Sequence, residues 1–449
     1  ESGSSTRQKG LEMRVHIINL GCARNLVDGE MMSGILRQNG CTMVDTPSQA
    51  DAIVVNTCSF IQSAADESID AILEMARCKA EGDCKRLVVA GCLPERYREE
   101  IVGALPEVDV FLGTGAYDQI LEAVRTLPPG TCRLPPAGWN PLWRSMPLRM
   151  LSVPHLAYLK IAEGCNRRCT YCIIPKLRGD LRSRPLPDVM SEARFLIESG
   201  AKELVLVAQD TTSYGRDFSA GVSLAELLDA LAALSADIWI RVLYGHPESL
   251  DAAAVGAIAR HPNVCSYFDL PIQHASDPVL KRMGRPGSQR DLRRLFDMIR
   301  STVPDATLRT TVMTGFPGET EEDFQTLLNF ISEIRFDHLG AFVYSDSEDL
   351  PAHRLSQPVS RQAANKRYRA LMTRQMQIAS EINAAHIGQT RTVLVEEMPE
   401  PGLYAGRTVF QAPEVDGITY VRANNLAIGE FAAVRIIDAM EYDLIGECI

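Results

Sequence analysis

Three cysteines, Cys165, Cys169 and Cys172, stand within eight residues in the run Glu163-Gly164-Cys165-Asn166-Arg167-Arg168-Cys169-Thr170-Tyr171-Cys172. Three closely spaced thiolates suit three irons of a four-iron cluster and leave the fourth iron open to a reactant. A structural zinc site wants four closed ligands, and no fourth Cys or nearby His follows at zinc spacing. Arg167, Arg168, Lys176, Arg178, Arg182 and Arg184 surround the run; they either moderate the charge of a thiolate cluster or hold carboxylates, or they form a solvated basic face.

A second set is dispersed in sequence. Cys22, Cys58 and Cys92 each follow a short β-branched run: Ile17-Ile18-Asn19-Leu20-Gly21-Cys22, Val54-Val55-Asn56-Thr57-Cys58 and Val88-Val89-Ala90-Gly91-Cys92. If those runs are parallel strands of one sheet, their carboxyl ends share an edge and the three thiols converge there. Singly, each reads as a buried small apolar residue. Together they read as a second three-thiol site. The other six, Cys41, Cys78, Cys84, Cys132, Cys265 and Cys448, show no pattern and read as core or incidental.

The elements that must position these residues follow from apolar periodicity. Strands are expected at Val15–Leu20, Ala52–Asn56 and Leu87–Ala90, with helices at Asn25–Asn39, ended by Gly40, and Ala64–Cys78, giving a doubly wound parallel sheet over residues 13–133. Six prolines between Leu127 and Pro154 mark a linker, taken as residues 134–153. Six further strands are expected at Ala157–Ala162, Glu203–Ala208, Ile238–Leu243, Ser266–Leu270, Thr307–Met313 and His338–Tyr344. With helices at Val189–Ser199, Leu224–Leu234, Leu250–Ala259, Asp291–Thr302 and Glu321–Ile334, they suggest a complete or partial barrel, with Cys165–Cys172 at its carboxyl end. A polar helix, Arg361–Ala385, closes this 154–385 segment. Residues 386–449, rich in Val, Ile and Thr with turns at Pro401-Gly402 and Asp416-Gly417, read as a small antiparallel β-barrel.

Bulk composition agrees. The chain has 449 residues, 46% apolar and 23% charged, enough for large cores and, at roughly 100–200 residues each, several domains. No apolar run of membrane-spanning length occurs and Glu1–Gly10 lacks a signal-peptide core, so a cytoplasmic protein without a membrane partner is expected. Residues 1–12 read as a disordered tail, with Met13 a natural start. Twelve cysteines in such a chain point to metal or redox chemistry rather than disulfides. The net charge of −11 disfavours a general nucleic-acid binder.

The Cys-x3-Cys-x2-Cys spacing with an aromatic before the last Cys resembles the radical S-adenosylmethionine superfamily. Nearly the whole chain is similar to its methylthiotransferase family, with a cluster domain, a (β/α)6 radical barrel and a TRAM-type tail. Leu20-Gly21-Cys22-Ala23-Arg24-Asn25, Asn56-Thr57-Cys58-Ser59-Phe60, Gln209-Asp210-Thr211-Thr212-Ser213-Tyr214-Gly215, Asp269-Leu270-Pro271-Ile272-Gln273-His274 and Gly315-Phe316-Pro317-Gly318-Glu319-Thr320 look like the ribosomal-protein, or RimO, branch. The tRNA branch shows a Gln after its first cysteine and an Asn pair at Gln209-Asp210. Gly29, Ser59 and Glu348-Asp349-Leu350 depart from the family's usual Ser, Gly and acid-Gly-Thr.

The resemblance implies methylthiolation of the β-carbon of an aspartate in the twelfth small-subunit ribosomal protein. One S-adenosylmethionine would be the radical source and another the methyl donor. Cys165, Cys169 and Cys172 would hold the radical [4Fe-4S] cluster, and Cys22, Cys58 and Cys92 an auxiliary [4Fe-4S] cluster. Gln209, Asp269, Gln273, Gly315 and Glu319 would contact S-adenosylmethionine or substrate, and no catalytic acid or base is assigned. An external electron donor and a sulfur donor are implied. From His386 onward the chain carries four arginines and no lysine against ten acids, which suits a basic protein partner better than tRNA. The rival readings are a tRNA-adenosine methylthiotransferase and a non-catalytic iron-sulfur electron carrier.

Overall fold

The computed structural model describes residues 13–136, 149–219 and 221–449. The expected tail of residues 1–12 and most of the expected linker lie outside the described residues. The chain divides into two compact units. The first holds residues 1–152 together with Lys176–Gly179; the second holds residues 153–175 and 180–449.

In the first unit, β1 (Arg14–Asn19), β2 (Thr42–Met43), β3 (Ala52–Thr57), β4 (Arg86–Gly91), β5 (Val110–Leu112) and β6 (Thr131–Arg133) form one sheet in the order β2-β1-β3-β4-β5-β6. Every pairing is parallel. The sequence is apolar on both strand faces because both are covered. Val15, Val54, Val88 and Val110 pack on Met32 and Leu36 of the helix Ala23–Gln38, whereas Ile53, Val55, Leu87 and Phe111 pack on Ile72 and Met75 of the helix Gln62–Glu81. Gly40, at φ +76°, ends the first helix, where the Cys41 N–H returns to the Leu36 carbonyl. The strand β6 falls at the end of the 13–133 segment expected to hold the parallel sheet, just ahead of the expected linker, and carries no strand expectation of its own. At three residues each, β5 and β6 are too short for periodicity to show; β6 is the edge strand and β5 lies next to it.

In the second unit the strands β7 (Leu156–Lys160), β10 (Glu203–Val207) and β11 (Trp239–Val242) pair in parallel, as do β12 (Tyr267–Asp269), β13 (Thr307–Thr314) and β14 (His338–Val343). A parallel bridge from Ile240 to Val264 joins the two halves, so six parallel strands run in chain order as a partial barrel. A short hairpin of β8 (Ala162–Glu163) and β9 (Arg182–Ser183) brackets the cysteine run. The helix Glu321–Ile334 starts on a capping box between Thr320 and Asp323. The helix Asp277–Arg282 carries no expectation from sequence, since six residues are too few for a helical period.

The last segment closes as a five-stranded barrel of β15 (Thr390–Glu400), β16 (Leu403–Thr408), β17 (Thr419–Arg422), β18 (Phe431–Ala439) and β19 (Leu444–Cys448) in the order β15-β16-β17-β19-β18. It is not wholly antiparallel: β17 and β19 pair in parallel, because β19 inserts between β17 and β18. Buried ion pairs tie this barrel to the strands of its own unit. Glu203 on β10 accepts from Arg241 on β11 and from Arg407 on β16, each at 2.6 Å, and Arg407 also reaches Glu396. No described helix is long and apolar enough to cross a membrane.

Candidate metal centres

Strand order determines where the dispersed cysteines meet. β1, β3 and β4 are neighbours, and Cys22, Cys58 and Cys92 each lie one to three residues past their carboxyl ends. The thiols are close enough to influence one another electrostatically. Gly21 makes the approach possible. At φ +89°, a Cβ there would stand 2.5 Å from the Cys58 Cβ and 2.9 Å from its Sγ. Asn25 locks the loops, donating to the Leu20 carbonyl (3.0 Å) and the Thr57 carbonyl (2.7 Å). Asn56 donates to the Asn25 carbonyl at 2.7 Å, and Ser68 holds both backbone groups of Cys58.

The electrostatics of the three thiols differ. Burial pushes Cys92 up to about 11 and raises Cys58. Burial also acts on Cys22, but Arg24, the Asn25 N–H and Arg178 together bring the thiol down to about 7. Arg178 is buried beside the set: its Nη2 donates to the Asn25 Oδ1 at 2.7 Å and to the Cys92 Sγ at 3.5 Å, and its Nη1 donates to Asp28 at 2.9 Å. Converging thiols with cationic partners are a donor set that fits a negatively charged iron-sulfur cluster.

The run Cys165–Cys172 is held in its own unit. Thr170 donates from its backbone to the Met283 carbonyl and from its hydroxyl to the Arg282 carbonyl, both at the end of the helix Asp277–Arg282, and its own carbonyl accepts from Ala352. Gly284, at φ +73°, passes so close that a Cβ would lie 2.8 Å from the Arg168 carbonyl oxygen. The Cys172 N–H bonds the Cys169 carbonyl at 3.1 Å, and the Arg167 N–H donates to the Cys165 Sγ at 3.4 Å. The Asn166 side chain accepts from Leu181, pinning the run to the segment before β9. This compact three-thiol loop fits a cluster ligated at three corners. Among the described residues no three His, Cys, Asp or Glu side chains close around a single ion.

A cavity of about 200 Å³ opens beside Cys165, lined by Asn166, Arg167, Asp210, Ser213 and Arg216. Arg167 pairs with Glu248 at 2.7 Å and Asp210 at 3.4 Å. Nearby, burial and then Arg285 and Arg167 hold His246 down to about 2, so its imidazole is neutral, and its Nε2 has no hydrogen-bond partner among the described residues.

The basic residues around the run do not make one solvated face. Arg168 is exposed and pairs with Asp180, but Arg184 is buried on Glu192 and Arg178 is buried in the other unit. Their differing exposure follows from tertiary placement, which composition does not show.

The five other candidates fall into two groups. Gln209 lies just past β10 and donates to Glu163 at 2.5 Å, beside Lys160, in the hairpin that precedes Cys165; its Oε1 is buried with no partner among the described residues. Gln273, at φ +66°, continues the barrel edge through backbone bonds to Thr311 and Met313. The other three are engaged by the chain itself. Asp269 accepts from Arg309 at 2.9 Å and from the Tyr244 N–H at 2.8 Å. Glu319 accepts from the Gly315 and Phe316 N–H groups and pairs with Arg367 at 3.1 Å, while burial raises its carboxyl. Asn25, Arg24 and Arg178 escaped sequence reasoning as parts of the dispersed site; the Asn three residues after Cys22 was the available signal. The departure at Glu348-Asp349-Leu350 forms a closed turn, with the Leu350 N–H on the Ser347 carbonyl at 3.0 Å.

Comparison with known proteins agrees with this arrangement. Residues 14–113 match the model of an uncharacterized protein family, UPF0004, residues 159–331 that of the radical SAM superfamily, and residues 387–449 that of the TRAM domain. Among solved structures, a radical S-adenosylmethionine methyltransferase, TsrM, from Kitasatospora setae shares the fold with a TM-score of 0.58, 12% identity and coverage of 82% of this chain and 89% of that one. Together these define a radical S-adenosylmethionine enzyme. The ribosomal protein uS12 methylthiotransferase RimO of Desulfosudis oleivorans is 54% identical over 97% of this chain and 100% of its own, and that of Clostridioides difficile is 46% identical over 97% and 99%. The chain belongs to this methylthiotransferase family, whose members use S-adenosylmethionine and [4Fe-4S] clusters.

Proposed function

We propose that this enzyme methylthiolates the β-carbon of an aspartate in the ribosomal protein uS12. The observation that carries the reading is the presence of two separate three-thiol sites, one at the ends of β1, β3 and β4 and one in the loop after β8, in a chain 54% identical to a uS12 methylthiotransferase. When bound, the clusters and S-adenosylmethionine supply a radical able to break an unactivated C–H bond and a place from which sulfur is delivered. Cys165, Cys169 and Cys172 would hold the first cluster and Cys22, Cys58 and Cys92 the second.

The chain's own residues orient and exclude. Thr170, Asn166 and Gly284 fix the loop, and with it the three thiols that would hold the cluster. Gln209, with its free Oε1, is the polar side chain best placed on the barrel rim to meet a ligand's amino group. Gln273 shares that rim, whereas Asp269, Gly315 and Glu319 act on it by shaping the loops. Radical chemistry does not call for a general acid or base from this set. The acidic tail, net negative by six, suits a basic protein substrate, and a ribosomal-protein substrate supports a cytoplasmic reaction. An external reductant and a sulfur source complete the reaction.

The test is anaerobic reconstitution with iron and sulfide counting, then incubation with S-adenosylmethionine, dithionite and a peptide copying the uS12 aspartate loop, read by mass spectrometry. Two clusters, 5′-deoxyadenosine and a methylthio mass gain on aspartate are expected. Two clusters with 5′-deoxyadenosine but no gain on peptide or intact uS12, and a gain on tRNA, would overturn the substrate assignment.

A further inference from the structure

The buried arginine next to the dispersed thiols comes from an unexpected part of the chain. Arg178 stands six residues after Cys172 in sequence, yet Lys176–Gly179 folds with the first unit. Leu177 is fully buried there and its carbonyl accepts from the Thr114 hydroxyl at 2.9 Å, so the segment is anchored. The guanidinium is held on one side by Asp28, itself fully buried, at 2.9 Å. That fixes the other side: Nη2 is directed at Asn25 Oδ1 and at the Cys92 sulfur.

We propose that Arg178 is a positioning residue of the Cys22, Cys58 and Cys92 centre, directing the Cys92 sulfur and stabilising the reduced form of the cluster by a charge-assisted N–H to sulfur bond. The proposal rests on the reading that these three cysteines hold a cluster. Hydrogen bonds to the sulfurs are among the factors that set cluster potentials, and a cationic donor in a buried site acts more strongly than a neutral one. Reduction adds one electron, here from dithionite, and so one negative charge to the cluster. The Arg178 and Asp28 pair is neutral as a whole, but its positive end faces the thiol, so its dipole favours that added charge. Arg178 itself is not a metal ligand.

The experiment uses the full chain with Cys165, Cys169 and Cys172 replaced by alanine, so that only the dispersed site can bind iron. Against this parent stand Arg178→Lys, which keeps the charge and loses the fork, and the double variant Arg178→Gln with Asp28→Asn, which removes both charges of the pair together. Iron and sulfide per chain, the electron paramagnetic resonance of the reduced cluster and its midpoint potential are measured.

The double variant is expected to show an oxidised-to-reduced ratio raised about tenfold at fixed potential, a midpoint about 59 mV lower for one electron. Arg178→Lys should lie between it and the parent. Loss of iron with an unchanged circular dichroism spectrum and melting temperature also supports a positioning role. A double variant with the parent's iron content, spectrum and midpoint would overturn the proposal. If the double variant fails to fold, Arg178→Lys decides, and a midpoint equal to the parent's overturns it. A parent that binds no iron would overturn the cluster reading itself, which separates the two failures.

Discussion

Replacing Gly21 by alanine tests the dispersed site with a single methyl group. Its backbone has φ +89°, where an L-residue costs about 1–2 kcal/mol. The new Cβ would lie 2.5 Å from the Cys58 Cβ. Ordinary contact begins near 3.4 Å, so the Cys58 side chain must retreat by roughly 1 Å, and overpacking of this kind costs a further ~1–3 kcal/mol. A displacement of about 1 Å at a reacting site is worth on the order of a hundredfold in rate. The loop Cys165–Cys172 belongs to the other unit. Gly21→Ala should therefore reconstitute with about half the iron of the parent, still cleave S-adenosylmethionine to 5′-deoxyadenosine, and lose the methylthio mass gain on peptide by about a hundredfold. Full iron content together with a full mass gain would refute the claim that Gly21 is what lets Cys22 and Cys58 converge.

The mirror experiment is Gly284→Ala, whose Cβ meets the Arg168 carbonyl oxygen at 2.8 Å; it should abolish 5′-deoxyadenosine formation while the iron of the dispersed site remains, as counted after reconstitution. Glu203→Gln leaves the buried Arg241 and Arg407 facing a neutral amide and should destabilise the second unit by about 3–5 kcal/mol in urea or thermal unfolding, with a loss below about 1 kcal/mol counting against it. Burial opposes the charge of Glu396, but His155 and Arg407 hold its carboxyl down to about 2, against an ordinary value of 4.5. A depressed acid stabilises the fold above its unfolded pKa and loses that contribution as pH falls through the folded one. Glu396→Gln should thus remove about 3 kcal/mol at neutral pH and flatten the stability profile between pH 4.5 and 2, measured by unfolding at a series of pH values.

Much of this arrangement was legible before any coordinates. The placement of Cys22, Cys58 and Cys92 at neighbouring strand ends could be read because β1, β3 and β4 are apolar β-branched runs, and each thiol follows its strand within one to three residues. The six barrel strands were visible for the same reason, and the helix Glu321–Ile334 because its capping box and apolar period agree. Short elements escaped: β2, β8 and β9 have two residues each, and their pairing depends on partners distant in sequence. Polar partnerships escaped more widely. Asp269 and Glu319 look like ligand contacts in a motif, but Arg309 and Arg367 reach them from other strands and helices. Nor did proximity in sequence to Cys172 reveal that Arg178 belongs with Cys92, since tertiary placement alone decides that.

The assignment of Lys176–Gly179 to the first unit has a consequence for the order in which the protein can be made. A ribosome that has released residues 13–152 has released every strand of the parallel sheet and all three dispersed thiols. Arg178, whose guanidinium donates to the fully buried Asp28 at 2.9 Å and to the Cys92 sulfur at 3.5 Å, has not yet been made. The first unit is complete only once the chain has passed Gly179, by which point Cys165, Cys169 and Cys172 have also been synthesised. Iron loading of the dispersed site in its finished form therefore waits for both sets of cysteines to exist. A fragment cut at residue 152 would carry the thiols without the charge that completes their surroundings.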